Sequence, residues 1–118
     1  MSRRTDRIEE LLQGELSTLL LRRVADPRLR LTSVSGVRIS PDLRRATVRL
    51  SVLGDDAARS AALEAIHRAS GFLRGELGRS LRQLRVVPEL VFELDRGAEY
   101  SQQISNLLDE LGSDDDRT

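Results

Sequence analysis

Apolar residues recur early in the chain at Ile8, Leu11, Leu12, Leu16, Leu19, Leu20 and Val24, a spacing that places them on one face of a helix. The pattern predicts a helix from Asp6 to about Val24, capped by Thr5 or Asp6. Asp26-Pro27 stops it, because proline disfavours helical geometry in the residue before it. Next comes "LTSVSGVRIS", rich in β-branched and short side chains, whose apolar positions change parity between Val34 and Val37. Gly36 marks a candidate bulge at that change. In "SPDLRR", residues 40–45, proline and aspartate fill the second and third places of a turn, which predicts a hairpin. The returning strand sets Ala46, Val48, Leu50 and Val52 on one face and Thr47, Arg49 and Ser51 on the other, the alternation of a sheet covered on one side.

Beyond "GDD" at 54–56, whose acids suit the positive start of a helix, a long helical stripe begins with Ala58, Ala61, Ala62, Ala65, Ile66 and Ala69. It continues with the larger Phe72, Leu73, Leu77, Leu81 and Leu84, and the size changes at Ser70-Gly71. Glycine inside a helix costs on the order of 1 kcal/mol relative to alanine, so the pair predicts an interruption there. Pro88 closes the helical region, and "ELVFEL" alternates as a third strand. A short closing helix is expected around Ile104, Leu107, Leu108 and Leu111. The order is α-β-β-α-(kink)-α-β plus that last helix. A strand joined to the next by a long helical crossover favours a parallel pair, so the expected fold is α+β, a three-stranded mixed sheet with helices packed on one face.

Length allows one such domain, taken as residues 1–111, with "GSDDDRT" at 112–118 an acidic tail too poor in apolar residues to fold. Cysteine is absent, which fits a reducing compartment and removes disulfides and thiolate chemistry. No run of residues resembles a membrane span or a signal peptide, so a soluble cytoplasmic protein is expected.

Net charge is zero, yet the signs are segregated: −1 over residues 1–21, +8 over 22–85 and −7 over 86–118. All the basic residues are arginines. That bias fits forked recognition of phosphate, and genome composition produces it equally well. Arg22, Arg23, Arg28 and Arg30 surround the end of the first helix. Arg44 and Arg45 lie on the hairpin turn, and Arg74, Arg79, Arg82 and Arg85 follow the expected kink. Such a set either neutralises the phosphates of an RNA or forms a solvated face. Arg79, Arg82 and Arg85, three residues apart, are expected to share one side of the helix. Phe72, Phe92 and Tyr100 are the only aromatics, with the first two at apparent core positions. That leaves too few for a base-stacking platform, so recognition is expected to use backbone and shape.

Catalytic signals are weak. His67 is the sole histidine, on a helix beside Arg68, and reads as a surface or packing residue. Asp114 to Asp116 lack the turn residues of a calcium loop, and there is no P-loop, GxGxxG or paired metal motif. Neither an enzyme nor a cofactor is expected.

In order along the chain, Asp26-Pro27-Arg28, Ser40-Pro41-Asp42-Leu43, Gly71-Phe72-Leu73-Arg74 and Pro88-Glu89-Leu90 with Phe92 resemble the motifs of the ribosome-binding factor A family. The resemblance runs from Arg7 to about Leu108. It implies a type II KH-like domain in which Ala69, Ser70 and Gly71 form a helix-kink-helix junction in place of a GxxG loop. Glycine would there allow a sharp turn and close approach of an RNA backbone. A simple packing kink is the other reading of those three residues. The resemblance further implies a noncatalytic factor that binds the immature small (30S) ribosomal subunit through 16S rRNA; nothing in the sequence demands a dimer, and a monomer off the ribosome is expected. It would promote late maturation including 5′-end processing, and support growth at low temperature. A protein–protein adaptor, its arginines on an acidic partner, is the alternative.

Overall fold

The computed structural model describes residues 3–95. Tyr100, the expected closing helix around Ile104 to Leu111 and the tail at 112–118 lie outside the described residues. The order is helix α1 (Arg3–Arg22), a short 3₁₀ turn (Pro27–Leu29), strands β1 (Thr32–Ile39) and β2 (Arg45–Val52), helix α2 (Asp56–Ser80) and strand β3 (Glu89–Leu94). The sheet order is β1-β2-β3, with β1 antiparallel and β3 parallel to the central strand. This is the α+β fold with a mixed sheet.

One face of the sheet holds Val34 and Ile39 of β1, Ala46, Val48 and Leu50 of β2, and Leu90 and Phe92 of β3, all buried. Both helices cover that face. Helix α1 contributes Ile8, Leu12, Leu16 and Leu19, and α2 contributes Ala62, Ala65, Ile66, Leu73 and Leu77 to the same core. Glu9 fastens α1 to the strand beneath it, accepting a hydrogen bond from the backbone N–H of Ile39 at 2.8 Å.

The parity change in β1 is a bulge. Val34 pairs with Leu50, but Gly36 pairs with the next residue back, Arg49, leaving Ser35 as the extra residue. Val37 and Ile39 thereby return to the core side while Arg38 faces outward. In the hairpin turn, Leu43 N–H donates to Ser40 O at 2.9 Å. Asp42 Oδ1 accepts from the Ser40 hydroxyl at 2.7 Å and from Arg44 N–H at 3.1 Å. These bonds hold Leu43 at a φ of 64°, unusual for a residue with a side chain.

Three expectations about the helices are corrected. Helix α1 starts at Arg3, so Thr5 and Asp6 lie in its first turn and do not cap it. Helix α2 runs without a break through Ala69, Ser70 and Gly71, where glycine predicts a kink. The reason is phase: Ala62, Ile66, Ala69, Leu73 and Leu77 follow one another at steps of four or three, so a single stripe faces the core on both sides of Gly71. Burying Leu73 and Leu77 stabilises the helix by about 1.5–3 kcal/mol each, which outweighs roughly 1 kcal/mol lost at an exposed glycine. Finally, α2 ends at Ser80 rather than near Arg85. Leu81 N–H closes the last turn on Leu77 O at 2.9 Å, and Leu84 N–H bonds Leu81 O at 3.0 Å. The chain then turns back toward β3 with Leu81 buried and Leu84 half-buried.

The start of α2 matches the sequence reading. Asp55, in extended geometry, caps the helix by accepting from Ala58 N–H at 2.8 Å. Gly54, at a φ of 136°, makes the reversal from β2.

Candidate nucleic-acid interface

The candidate arginines divide between the two ends of α1. Arg4 and Arg22 are 18 residues apart on that helix, about 27 Å at 1.5 Å per residue.

At the C-terminal end four of the basic side chains, Arg23, Arg28, Arg68 and Arg79, are tied to acids. The Arg28 guanidinium grips Asp26, Nη2 to Oδ2 at 2.8 Å and Nε to Oδ1 at 3.1 Å. Arg28 N–H donates to the same carboxylate at 2.9 Å, capping the 3₁₀ turn. The Arg28 side chain, then its backbone N–H, lower the Asp26 carboxyl pKa from 3.8 to about 2. The Arg28 pKa is raised in return, chiefly by the Asp26 hydrogen bond. Glu76 lies between Arg23, at 3.7 Å, and Arg79, at 3.2 Å, while Arg68 pairs with Glu64 at 2.9 Å. Arg68–Glu64 is an exposed pair of the kind that contributes about 0–1 kcal/mol, whereas the Glu76 and Asp26 side chains are largely covered.

Phe72 belongs to this end of the molecule and not to the core where its place in the sequence pattern puts it. It is 40% exposed, with the Arg23 guanidinium 5.7 Å from its ring centre. Phe92 is buried and meets the His67 ring edge-on at 5.9 Å. His67 itself is exposed.

Arg22 and Arg30 are exposed here and pair with no described carboxylate. Beside them a groove of about 520 Å³ runs between the end of α1 and the start of β1, walled by Leu20, Leu21, Val24, Pro27 and Leu29. Leu21 is 82% exposed at its lip.

The hairpin end is arranged differently. Arg4 from the first turn of α1, Arg44 from the hairpin and Arg85 from the loop before β3 line one hollow of about 320 Å³. None of the three lies within 4 Å of a described carboxylate oxygen, although the Arg44 charge acts on Asp42 in the same hollow. Arg82 and Arg85 lie beyond α2, so the expectation that they share a helical face with Arg79 is corrected. Arg74, also exposed, ties α2 to the segment leading into β3 by donating to Val87 O at 3.1 Å. With no break at 69–71, the N–H groups of Ser70 and Gly71 are inside a helix, not at the start of a new one. Ala69 and Ser70 are half-buried, and Gly71 is exposed with open space beside it.

The face of the sheet that no described helix covers carries basic groups outside the arginines singled out from the sequence. Arg38 and Arg49 project there with Thr47, and Arg45 begins the same row. Arg49 pairs with Glu93 across β2 and β3 at 3.4 Å. Strand parity marks Arg38 and Arg49 as outward-facing. Only the three-dimensional fold brings Arg4 to Arg44 and Arg85.

Among the described residues, no cluster of histidine and acidic side chains has the makings of a metal site, and no helix is long and apolar enough to cross a membrane.

A family model described as ribosome-binding factor A matches residues 4–108. Ribosome-binding factor A of Geobacter metallireducens is 37% identical over 115 residues, covering 98% of this chain and 97% of its own. The crystal structure of ribosome-binding factor A from Thermus thermophilus superposes with a TM-score of 0.69 at 30% identity, over 76% of this chain and 93% of that one. A homology model of the Thermus thermophilus factor, fitted into a cryo-EM map of its complex with 30S, gives a TM-score of 0.65 at 31% identity, over 77% and 94% of the two chains.

Proposed function

Since the chain belongs to the ribosome-binding factor A family, we propose that it is a noncatalytic assembly factor that binds the immature 30S subunit through its 16S rRNA. The Thermus thermophilus relative fitted into a 30S complex supports the partner. Exposed guanidinium groups without described carboxylate partners at both ends of α1, Arg22 and Arg30 at one and Arg4, Arg44 and Arg85 at the other, support contact with phosphate. Two such patches lie about 27 Å apart, and a rigid helix fixes the distance between them. Holding two RNA segments at a set separation favours one rRNA arrangement over others. A binder shifts such an equilibrium by its difference in affinity for the two states, and this is how the factor promotes late maturation, including 5′-end processing. It acts as a monomer in the cytoplasm and needs no cofactor.

The test is co-sedimentation with small subunits from cells in which assembly is stalled. Binding to immature subunits, absent from mature 70S particles and lost progressively as salt rises, is the expected result. Charge reversal at Arg30 and Arg44 together should abolish it without unfolding the protein. Unchanged binding by that folded double variant would remove both patches from the interface.

The groove beside Leu21 favours a second reading, an adaptor that holds an acidic protein partner by an apolar anchor. Binding to a protein alone, insensitive to salt, would favour it.

A further inference from the structure

The hollow at the hairpin end joins two chemistries that a bare phosphate would not need. Its rim is cationic, with Arg4, Arg44 and Arg85, and Arg4 sits in the first turn of α1, where the helix itself adds positive potential. Its floor is apolar, built from Ile8, Leu43, Leu84 and Pro88, with the 75% exposed Val86 at the edge. At about 320 Å³ it falls at the lower end of the range for sites that take a small organic molecule.

Asp42 is the one acid in the lining. Its Oδ1 is engaged by the Ser40 hydroxyl and Arg44 N–H, and these two bonds hold its pKa below the ordinary value, so the group is an anion at neutral pH. Its second oxygen takes part in neither of these two bonds. A carboxylate beside the guanidiniums discourages an acidic peptide but welcomes the amino group of a nucleobase. The protein has few aromatics to stack a base, and arginine planes and aliphatic surface do the same work.

We propose that this hollow holds one unstacked nucleotide of the bound RNA. Its phosphate lies on Arg4, Arg44 and Arg85, its base covers Leu84 and Val86, and a base amino group donates to Asp42. The proposal rests on the RNA reading above and adds a preference: adenine, cytosine and guanine, which carry an exocyclic amino group, bind more tightly than uracil, which has none.

The experiment is an NMR titration of the isotope-labelled full chain with AMP, CMP, GMP and UMP, each as the 5′-monophosphate, and with inorganic phosphate and a tetraglutamate peptide as controls. Saturable amide shifts at Asp42 to Arg44 and Gln83 to Val86 are expected with the three amino-bearing nucleotides, with UMP weaker by about tenfold. Arg85→Ala should weaken AMP by about tenfold, and Arg59→Ala, in the first turn of α2 and outside the hollow, should not change it. UMP binding as well as AMP, or equal shifts with inorganic phosphate or the peptide, would overturn the proposal. The ribosomal reading stands or falls separately. Nucleotide shifts without subunit co-sedimentation keep the hollow and sink that reading, while co-sedimentation without shifts does the reverse.

Discussion

Replacing Gly71 with alanine separates two accounts of α2. At a turned junction the glycine would hold a backbone geometry closed to other residues, and an added Cβ would cost stability. In the unbroken helix Gly71 is exposed, its φ is not positive, and a Cβ built there meets nothing within 4 Å. What remains is alanine's better helix propensity and its smaller unfolded-state entropy, together a gain of about 0.4–1 kcal/mol. For a domain of this size that raises the melting temperature by roughly 2–6 °C. Gly75→Ala should act in the same direction, because its nearest neighbour, Arg79 Nη2 at 3.5 Å, is the end of a mobile side chain. At Gly78 the new Cβ would press on Val87 Cγ2 at 3.3 Å, and the gain should shrink or vanish. The assay is urea unfolding followed by far-ultraviolet circular dichroism, comparing midpoints at equal slope. A Gly71→Ala protein less stable than the parent would refute the unbroken helix. The same variant also tests function: more stable but poorer at co-sedimenting with immature subunits, it would put an RNA backbone against Gly71.

Gly54→Ala should destabilise by on the order of 1–3 kcal/mol in the same urea assay, since alanine would be forced to a φ of 136° with its Cβ 2.8 Å from that of Ala58. Asp26 should titrate with a midpoint of about 2 in the folded protein, followed by NMR of its carboxyl carbon. Its folded value is below its unfolded value, so its contribution to stability is complete above about pH 4 and is lost as the pH falls toward 2. Arg28→Ala should move that midpoint up toward the ordinary carboxylate value, and no movement would show that the side-chain grip is not the main cause.

Period and punctuation made much of the fold legible. The two-residue alternation in β2 and β3, the parity change at Ser35-Gly36 and the Pro41-Asp42 turn each report a local constraint that one stretch of chain must satisfy on its own. The break at Gly71 misled because a glycine's propensity cost is local, while the reward for burying Ile66 on one side and Leu73 on the other comes from the sheet. Phe72 misled for a related reason. It adjoins Leu73 in sequence but is turned away from the core, where Arg23 from a distant helix end covers it. The candidate site was legible as a list of arginines and not as a shape. Which of them face an acid depends on Glu76 and Asp26, and which of them converge depends on where α2 stops.

The parallel pairing of β2 with β3 has a consequence for how the molecule is made. Glu89 takes its place beside Arg45 only after all of α2 and its return loop have been synthesised. Until then Val48 and Leu50 have one neighbouring strand instead of two. Completion of the core therefore waits on a late closure that spans some 44 residues, from Arg45 to Glu89, rather than on the hairpin alone.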